Sequence, residues 1–177
     1  MLPDGQEAQK RWLTEFEYAR NGTIDVFAFL HISTGNVHMS CQNDHKKKTS
    51  IAEFCAHVGE QPVGVQLDYV MDNLDSHCSY DFCVEVARLS NVACPPENKL
   101  SNPQLRREWL EKDDKRIVLH FTPFHGSWLN PVEIFFRIMG QMCLKDSYDS
   151  PSHLCAALLE FGETDRKLLF PDTAKIR

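Results

Sequence analysis

Two segments of this 177-residue chain each join a short apolar run to a polar turn and an acidic residue. In the first, the run VGVQLDYVM ends at Met71 and is followed directly by Asp72. In the second, the run IVLHF leads into a loop and then into NPVE, where Glu133 lies in the first turn of a predicted helix. Short apolar runs that alternate with helical patterns predict a mixed α/β fold.

The other elements follow from the same patterns and extend this α/β order. We predict strands at 24–32, 37–41, 63–71 and 117–121, and helices at 51–58, 79–89, 130–144 and 152–161. Thr49 or Ser50 is expected to cap the first helix. The nearly continuous apolar character of 63–71 predicts burial on both faces. Segment 91–115 is rich in proline and charge, so we predict a peripheral flap made of a loop and a short surface helix.

Composition indicates one folded domain in a reducing compartment. Hydrophobic residues make up 42% of the chain, which is enough for a substantial core. No apolar run approaches the roughly 20 residues of a membrane span, and the N-terminus does not read as a secretory signal. The seven cysteines form no Cys-x-x-Cys pair and are expected to be reduced thiols, which argues against a zinc site built from paired cysteines.

Asp72 and Glu133 are the residues that indicate chemistry. Two carboxylates on rigid elements beside loops suit a divalent-metal site for phosphodiesters, since Mg²⁺ prefers oxygen ligands. Two structural alternatives are open. Asp72 can cap a turn, and Glu133 can form a capping box with Asn130, which precedes a proline at the first helical position.

The strings YVMDNLDSH and VLHFTPFHGSWLNPVEIFF resemble DDE transposases of bacterial insertion sequences related to the mariner superfamily. The upstream segment LPDGQEAQKRWLTEFEYARNGTIDVFAFLHISTGNV is similar to the stretch between the first and second catalytic acids of that family. The resemblance extends from about residue 2 to 145. It implies an RNase H-like mixed sheet flanked by helices, with 1–145 as the catalytic domain, an insert at 91–115, and 146–177 as its helical tail.

The resemblance implies that Asp72 and Glu133 are the second and third catalytic acids and hold Mg²⁺ or Mn²⁺ in a two-metal site. Metal-dependent cleavage and strand transfer at transposon ends would follow. Supporting roles fall to Asn73, His77, Ser127, Trp128 and Asn130. We expect Trp128 to pack the loop against the helix, with an exposed aromatic that stacks on or contacts DNA as the alternative. We expect His77 to cap the next helix or approach a phosphate.

The chain departs from the family pattern at the first acid. The strand that carries it is expected upstream of LPDGQ, so the sheet is predicted to lack its first strand. Asp25 lies on the following strand and is not expected to replace that acid, while Asp68 and Asp75 are bystanders. We therefore expect a fragment that is inactive alone. The alternative is a non-catalytic RNase H-like module that binds DNA ends or transposase subunits.

The net charge of −6 is unusual for a protein that holds DNA, because Lys and Arg supply most non-specific affinity. The dense basic run His45-Lys46-Lys47-Lys48 is either a solvated loop or a DNA contact through Lys46, Lys47 and Lys48. The basic residues of 106–116 are expected to make surface ion pairs. Expected partners are transposon ends and target DNA, with self-association or an upstream transposase fragment. The resemblance implies a bacterial, cytoplasmic, nucleoid-associated protein and no membrane partner.

Overall fold

The computed structural model describes residues 22–145 and 147–164, which form four strands and five helices. The strands are β1 (Asp25–His31), β2 (Asn36–Gln42), β3 (Leu67–Met71) and β4 (Ile117–Phe121). The helices are α1 (Lys47–Glu60), α2 (Tyr80–Leu89), α3 (Pro103–Leu110), α4 (Pro131–Cys143) and α5 (Pro151–Thr164). Short 3-10 turns lie at Asp75–Cys78, Glu97–Lys99 and Ser127–Leu129. This mixed α/β content confirms the predicted fold class.

Strands β1 and β2 form the predicted antiparallel hairpin, with His31 opposite Asn36. Gly35 adopts a φ of 68° in the turn, and its N–H donates to the carbonyl of His31 at 2.8 Å. Glycine reaches this left-handed conformation without the steric cost that a Cβ would add. The turn therefore fixes the register of the hairpin.

Strands β3 and β4 form a parallel pair in which Met71 lies opposite Phe121. Both strands end at the same edge, so the loops that follow them start side by side. Within the described residues this pair is not hydrogen-bonded to the hairpin, and two separate two-stranded sheets result.

The predicted start of β3 and its burial on both faces are wrong. Val63 is 94% exposed, and residues 62–66 precede the strand as a turn in which Gly64 has a φ of 83°. Burial alternates along β3, and Val70 is 42% exposed. Successive side chains of a strand point to opposite faces, and the packed helices bury only one of them.

Helices α1, α2 and α3 pack on the covered face of β3 and β4 and form the larger of two cores. Each fully buried aliphatic or aromatic side chain there contributes roughly 1.5–3 kcal/mol. Its largest fully buried members are Phe54, Val58, Phe82, Val86, Leu110, Ile117 and Leu119.

Segment 91–115 lies outside the sheet, as predicted, but it is not a peripheral flap. Leu100 is 3%, Trp109 9% and Leu110 0% exposed, and all three belong to the larger core. Lys115 is also buried, and its Nζ donates to the carbonyl of Trp109 at 2.7 Å. The segment therefore contributes a few apolar side chains to the core. The sequence did not reveal this contribution, because most of the surrounding residues are charged.

The basic residues of 106–116 were expected to form surface ion pairs, and for the three arginines Arg106, Arg107 and Arg116 this is wrong. Arg106 donates to the carbonyls of Cys78 at 2.6 Å and Leu100 at 2.9 Å. Arg116 donates to the carbonyl of Pro62 at 3.0 Å. These guanidinium groups therefore bond to loop carbonyls and do not pair with surface acids.

Helices α4 and α5 form the second core against the hairpin. Its buried residues are Phe135, Met139, Cys143, Leu158 and Phe161. The sequence predicted both helices, with α5 extending to Thr164 instead of residue 161. Among the described helices, none combines the length and apolar character that crossing a bilayer requires.

Helix α1 begins at Lys47, earlier than predicted, and neither Thr49 nor Ser50 is its cap. The carboxylate Oδ1 of Asp44 accepts from the N–H of Lys46 at 3.0 Å and from Thr49 Oγ1 at 2.5 Å. Asp44 thus organises the entry into the helix. Lys47 and Lys48 of the basic run consequently open α1, whereas His45 and Lys46 lie in the loop before it.

Candidate active site

Asp72 is the first residue after β3, at the carboxyl edge of the parallel pair. The N–H of Thr122, the first residue after β4, donates to the carbonyl of Met71 at 2.9 Å. In open α/β sheets, ligands bind outside this edge, where the loops diverge. The position of Asp72 therefore suits a binding role.

The carboxylate of Asp72 is held through one of its two oxygens. Oδ1 lies 2.8 Å from Nδ1 of His77 and accepts from the N–H of Leu74 at 3.2 Å. The bond with His77 lowers the pKa of Asp72, with partial burial opposing the shift and the charge of His77 and the Leu74 N–H adding to it. All hydrogen bonds to this carboxylate from the described residues go to Oδ1, so Oδ2 can still bind a cation.

His77 does not cap the following helix, so that part of the prediction is wrong, while its approach to a phosphate stays a prediction. It lies in the 3-10 turn Asp75–Cys78, while Ser79 caps α2 by accepting from the N–H of Phe82 at 3.2 Å. A polar turn between β3 and α2 thus returns His77 to the strand end. The bond from the N–H of Leu74 to Oδ1 of Asp72 shows that Asp72 also caps this turn, as the structural alternative predicted.

Asn73 joins the loops that follow β3 and β4. Its Nδ2 donates to the carbonyl of Thr122 at 2.7 Å, and its Oδ1 accepts from the guanidinium of Arg107. That guanidinium also lies over the rings of Phe121 and Phe124, at 5.0 and 4.9 Å from their centroids. Arg107 therefore fixes the loops next to Asp72. Sequence reasoning missed it, because nothing in the pattern distinguishes Arg107 from its charged neighbours.

Glu133 lies in the first turn of α4, and its side chain is exposed. The helix begins as predicted, with Asn130 accepting from the N–H of Val132 at 3.4 Å and Pro131 in the first position. The carboxylate of Glu133 accepts no hydrogen bond from the described residues. The capping box with Asn130, which was the structural alternative, is therefore absent. Its backbone N–H instead donates to the carbonyl of Asn130 at 3.0 Å.

The loop before α4 carries two further candidates. Ser127 begins the 3-10 turn that leads into the helix. Trp128 is 71% exposed, so the prediction that it packs the loop against the helix is wrong. Phe124 is 74% exposed as well, although Arg107 lies over one face of its ring.

The basic run at the start of α1 is exposed but partly paired. The Nζ of Lys46 lies 3.3 Å from Asp44, and that of Lys47 lies 2.5 Å from Asp81. Lys48 is exposed as well. A role of these lysines in DNA contact stays a prediction.

The structure brings Asp72, Asn73 and His77 together, whereas no hydrogen bond joins Glu133 to this group in the described part of the chain. The two acids belong to no group of three metal-binding side chains among those residues. Their chemistry nevertheless fits a divalent cation, because an ionised carboxylate with one uncommitted oxygen and a solvent-exposed carboxylate are hard oxygen donors.

Comparison with known proteins gives the family. No curated protein and no solved structure matches the chain. The family model for the DDE superfamily endonuclease matches residues 4–155, most of the chain and all nine described strands and helices in whole or in part. Endonucleases of this superfamily act on DNA and use divalent metal ions. The chain belongs to the DDE superfamily endonucleases.

Proposed function

We propose that the chain is a catalytic-domain segment of a transposase that cleaves and joins DNA at transposon ends, with Asp72 and Glu133 as two of its metal-binding acids. The observation that carries the proposal is the environment of Asp72. The residue lies at the carboxyl edge of β3 and β4, with one oxygen fixed by His77 and Leu74. The family match supplies the reaction class.

Each residue has a role in this proposal. Asp72 would offer Oδ2 to the cation, and His77 would keep the carboxylate ionised and oriented. Glu133 would supply the second carboxylate from the first turn of α4. When bound, Mg²⁺ or Mn²⁺ supplies Lewis-acid activation of the attacking oxygen and stabilises the leaving oxygen. Asn73 and Arg107 would keep the two loops in place around the scissile phosphate.

The DNA would contact the exposed basic run of α1 and the exposed aromatic side chains of the loop before α4. Lys46 and Lys48 are exposed cations at a helix start, where the helix dipole also favours a phosphate. Trp128 offers a face on which a base can stack. The net charge of −6 limits the affinity that this chain alone can supply.

A second candidate function is a non-catalytic module that binds DNA ends or transposase subunits. One observation favours it: in the part of the chain that the structure describes, no third carboxylate joins Asp72 and Glu133. Two carboxylates would leave a two-metal site short of ligands.

Binding of Mn²⁺ by the purified chain tests the proposal. The matched variants are Asp72→Asn and Asp68→Asn, because Asp68 also lies 2.8 Å from a histidine, His120. We expect Asp72→Asn to weaken Mn²⁺ binding by at least about tenfold and Asp68→Asn to leave it unchanged. Equal affinity in both variants would remove the metal role of Asp72.

Cleavage is tested separately, with a nicked transposon-end duplex as product. We expect no nicked product from the 177-residue chain alone. Nicking that persists in Asp72→Ala would refute the proposed function.

A further inference from the structure

A second group of metal-binding side chains lies away from Asp72 and Glu133. A surface pocket of about 230 Å³ opens between the turn end of the hairpin and the last turns of α1. His38 of β2 and His57 and Glu60 of α1 line it. Each of these three residues offers one ligand atom, and the three atoms lie within 4.8 Å of one another.

The spacing within this group approaches that of a metal's ligand shell. Nδ1 of His38 lies 3.2 Å from Oε2 of Glu60. Two ligands of a tetrahedral zinc ion, each at about 2.0–2.1 Å from it, are about 3.3 Å apart. One edge of the tetrahedron is therefore present, and the ligand atom of His57 lies within 4.8 Å of the other two.

His57 is placed firmly and carries an unsatisfied nitrogen. Its ring stacks on Phe29 with centroids 4.1 Å apart and planes 8° apart. Its Nδ1 is buried and has no hydrogen-bond partner among the described residues. A buried polar atom without a partner destabilises a fold, and a metal bound through this nitrogen would offset that cost.

We propose that His38, His57 and Glu60 bind one Zn²⁺ ion and thereby link β2 to the end of α1. Two imidazoles and one carboxylate favour zinc over Mg²⁺, which prefers oxygen ligands alone. His31 lines the same pocket, and the hydroxyl groups of Ser33 and Thr34 lie 3.2 and 3.0 Å from its Nδ1. The fourth ligand is then a water molecule. The site is independent of the proposed cleavage chemistry.

Titration of the metal-stripped full chain with Zn²⁺, and with Co²⁺ as an absorption probe, tests this site. We expect one equivalent of Zn²⁺, a tetrahedral Co²⁺ spectrum without a thiolate charge-transfer band, and a higher Tm with zinc. Glu60→Gln and His38→Asn should each weaken binding by more than about tenfold. Both positions are partly exposed, so circular dichroism should show an unchanged fold.

Two controls separate this site from other histidines and from the catalytic candidates. His120→Asn removes a histidine that pairs with an acid at 2.8 Å outside the pocket, and it should bind zinc like the parent chain. The double variant Asp72→Asn, Glu133→Gln should do so as well. The proposal is overturned by an absence of zinc uptake, by a thiolate band, by parent-like affinity in Glu60→Gln and His38→Asn, or by loss of zinc in the double variant.

Discussion

Nδ1 of His77 lies 2.8 Å from Oδ1 of Asp72, five residues earlier in the chain. An ionised carboxylate only accepts hydrogen bonds, so Nδ1 carries the proton in this pair. The imidazole therefore does not compete for a cation through that atom. It acts as a donor that fixes the acid, as outer partners of metal-binding carboxylates commonly do.

Replacing His77 tests this positioning role. We expect His77→Leu to raise the pKa of Asp72 toward its ordinary value, because the largest cause of its depression is removed. Mn²⁺ affinity should fall by roughly 10–100-fold, the usual effect of losing such a partner. The carboxyl pKa is measured by NMR and the affinity by Mn²⁺ titration. His120→Leu is the matched control, since it breaks the bond to Asp68 on the same strand. An unchanged pKa in His77→Leu would contradict the role.

Arg107 should stabilise the loops beside Asp72. Its guanidinium combines a bond to Asn73 with stacking on Phe121 and Phe124. We expect Arg107→Lys to lower the free energy of unfolding by about 1–2 kcal/mol, because lysine keeps the charge but loses the planar fork. Hydrogen exchange should accelerate at Thr122, whose carbonyl Asn73 binds. Urea unfolding and exchange mass spectrometry measure the two effects, and a stability equal to that of the parent chain would refute the assignment.

The sequence identified the strand ends and helix starts that carry Asp72 and Glu133, because turn residues and caps are local signals. Asn130 followed by Pro131 marked the start of α4, and Ser33 to Asn36 marked the hairpin turn. Such signals depend on a few neighbouring residues, and a single chain is sufficient to read them.

Long-range packing could not be predicted from the sequence in the same way. The burial of Leu110 depends on helices α1 and α2, which lie outside the charged segment that contains it. The bond between Arg107 and Asn73 joins residues 34 positions apart. The exposure of Val70 reflects which face of β3 the helices cover, and the apolar run alone does not encode that choice.

Tyr69 should make the stability fall at alkaline pH. Burial raises the pKa of Tyr69 to about 12, with Arg116 opposing the shift. Above pH 10 the unfolded chain loses the phenolic proton while the folded chain keeps it, so stability decreases as the pH rises toward 12. We expect a loss of about 1–2 kcal/mol over this range, measured by urea unfolding. Tyr69→Phe should show a shallower dependence, and an identical slope in the variant would contradict the prediction.

The lysines at the start of α1 should contribute to DNA affinity through phosphate contacts. We expect Lys46→Gln and Lys48→Gln each to reduce the slope of log affinity against log salt by about 0.9 on duplex DNA. Fluorescence anisotropy at several salt concentrations measures it. Lys99→Gln, in the 3-10 turn Glu97–Lys99, is the control and should keep the parent slope. Parent-like slopes in all three variants would show that the DNA does not contact the start of α1.

The last prediction concerns the unpaired strand edges of the two separate sheets. In the described part of the chain, β1 pairs only with β2 and β3 pairs only with β4. Unpaired strand edges favour association. We therefore expect the chain alone to self-associate with rising concentration in sedimentation velocity, and to lack nicking activity. A segment that carries one further strand and an Asp, fused or supplied in trans, should pair with β1, suppress this association and complete the acid set.

Restored nicking in Mg²⁺ or Mn²⁺ is the decisive readout of that experiment, because a third carboxylate supplies the ligands that Asp72 and Glu133 lack. The control segment carries Asn in place of its Asp. It should suppress self-association equally, since backbone pairing does not need the acid, but it should leave the complex inactive. If both segments restore nicking, the third acid is already present in this chain. If the Asp segment suppresses association without restoring nicking, the non-catalytic module becomes the better description of this protein.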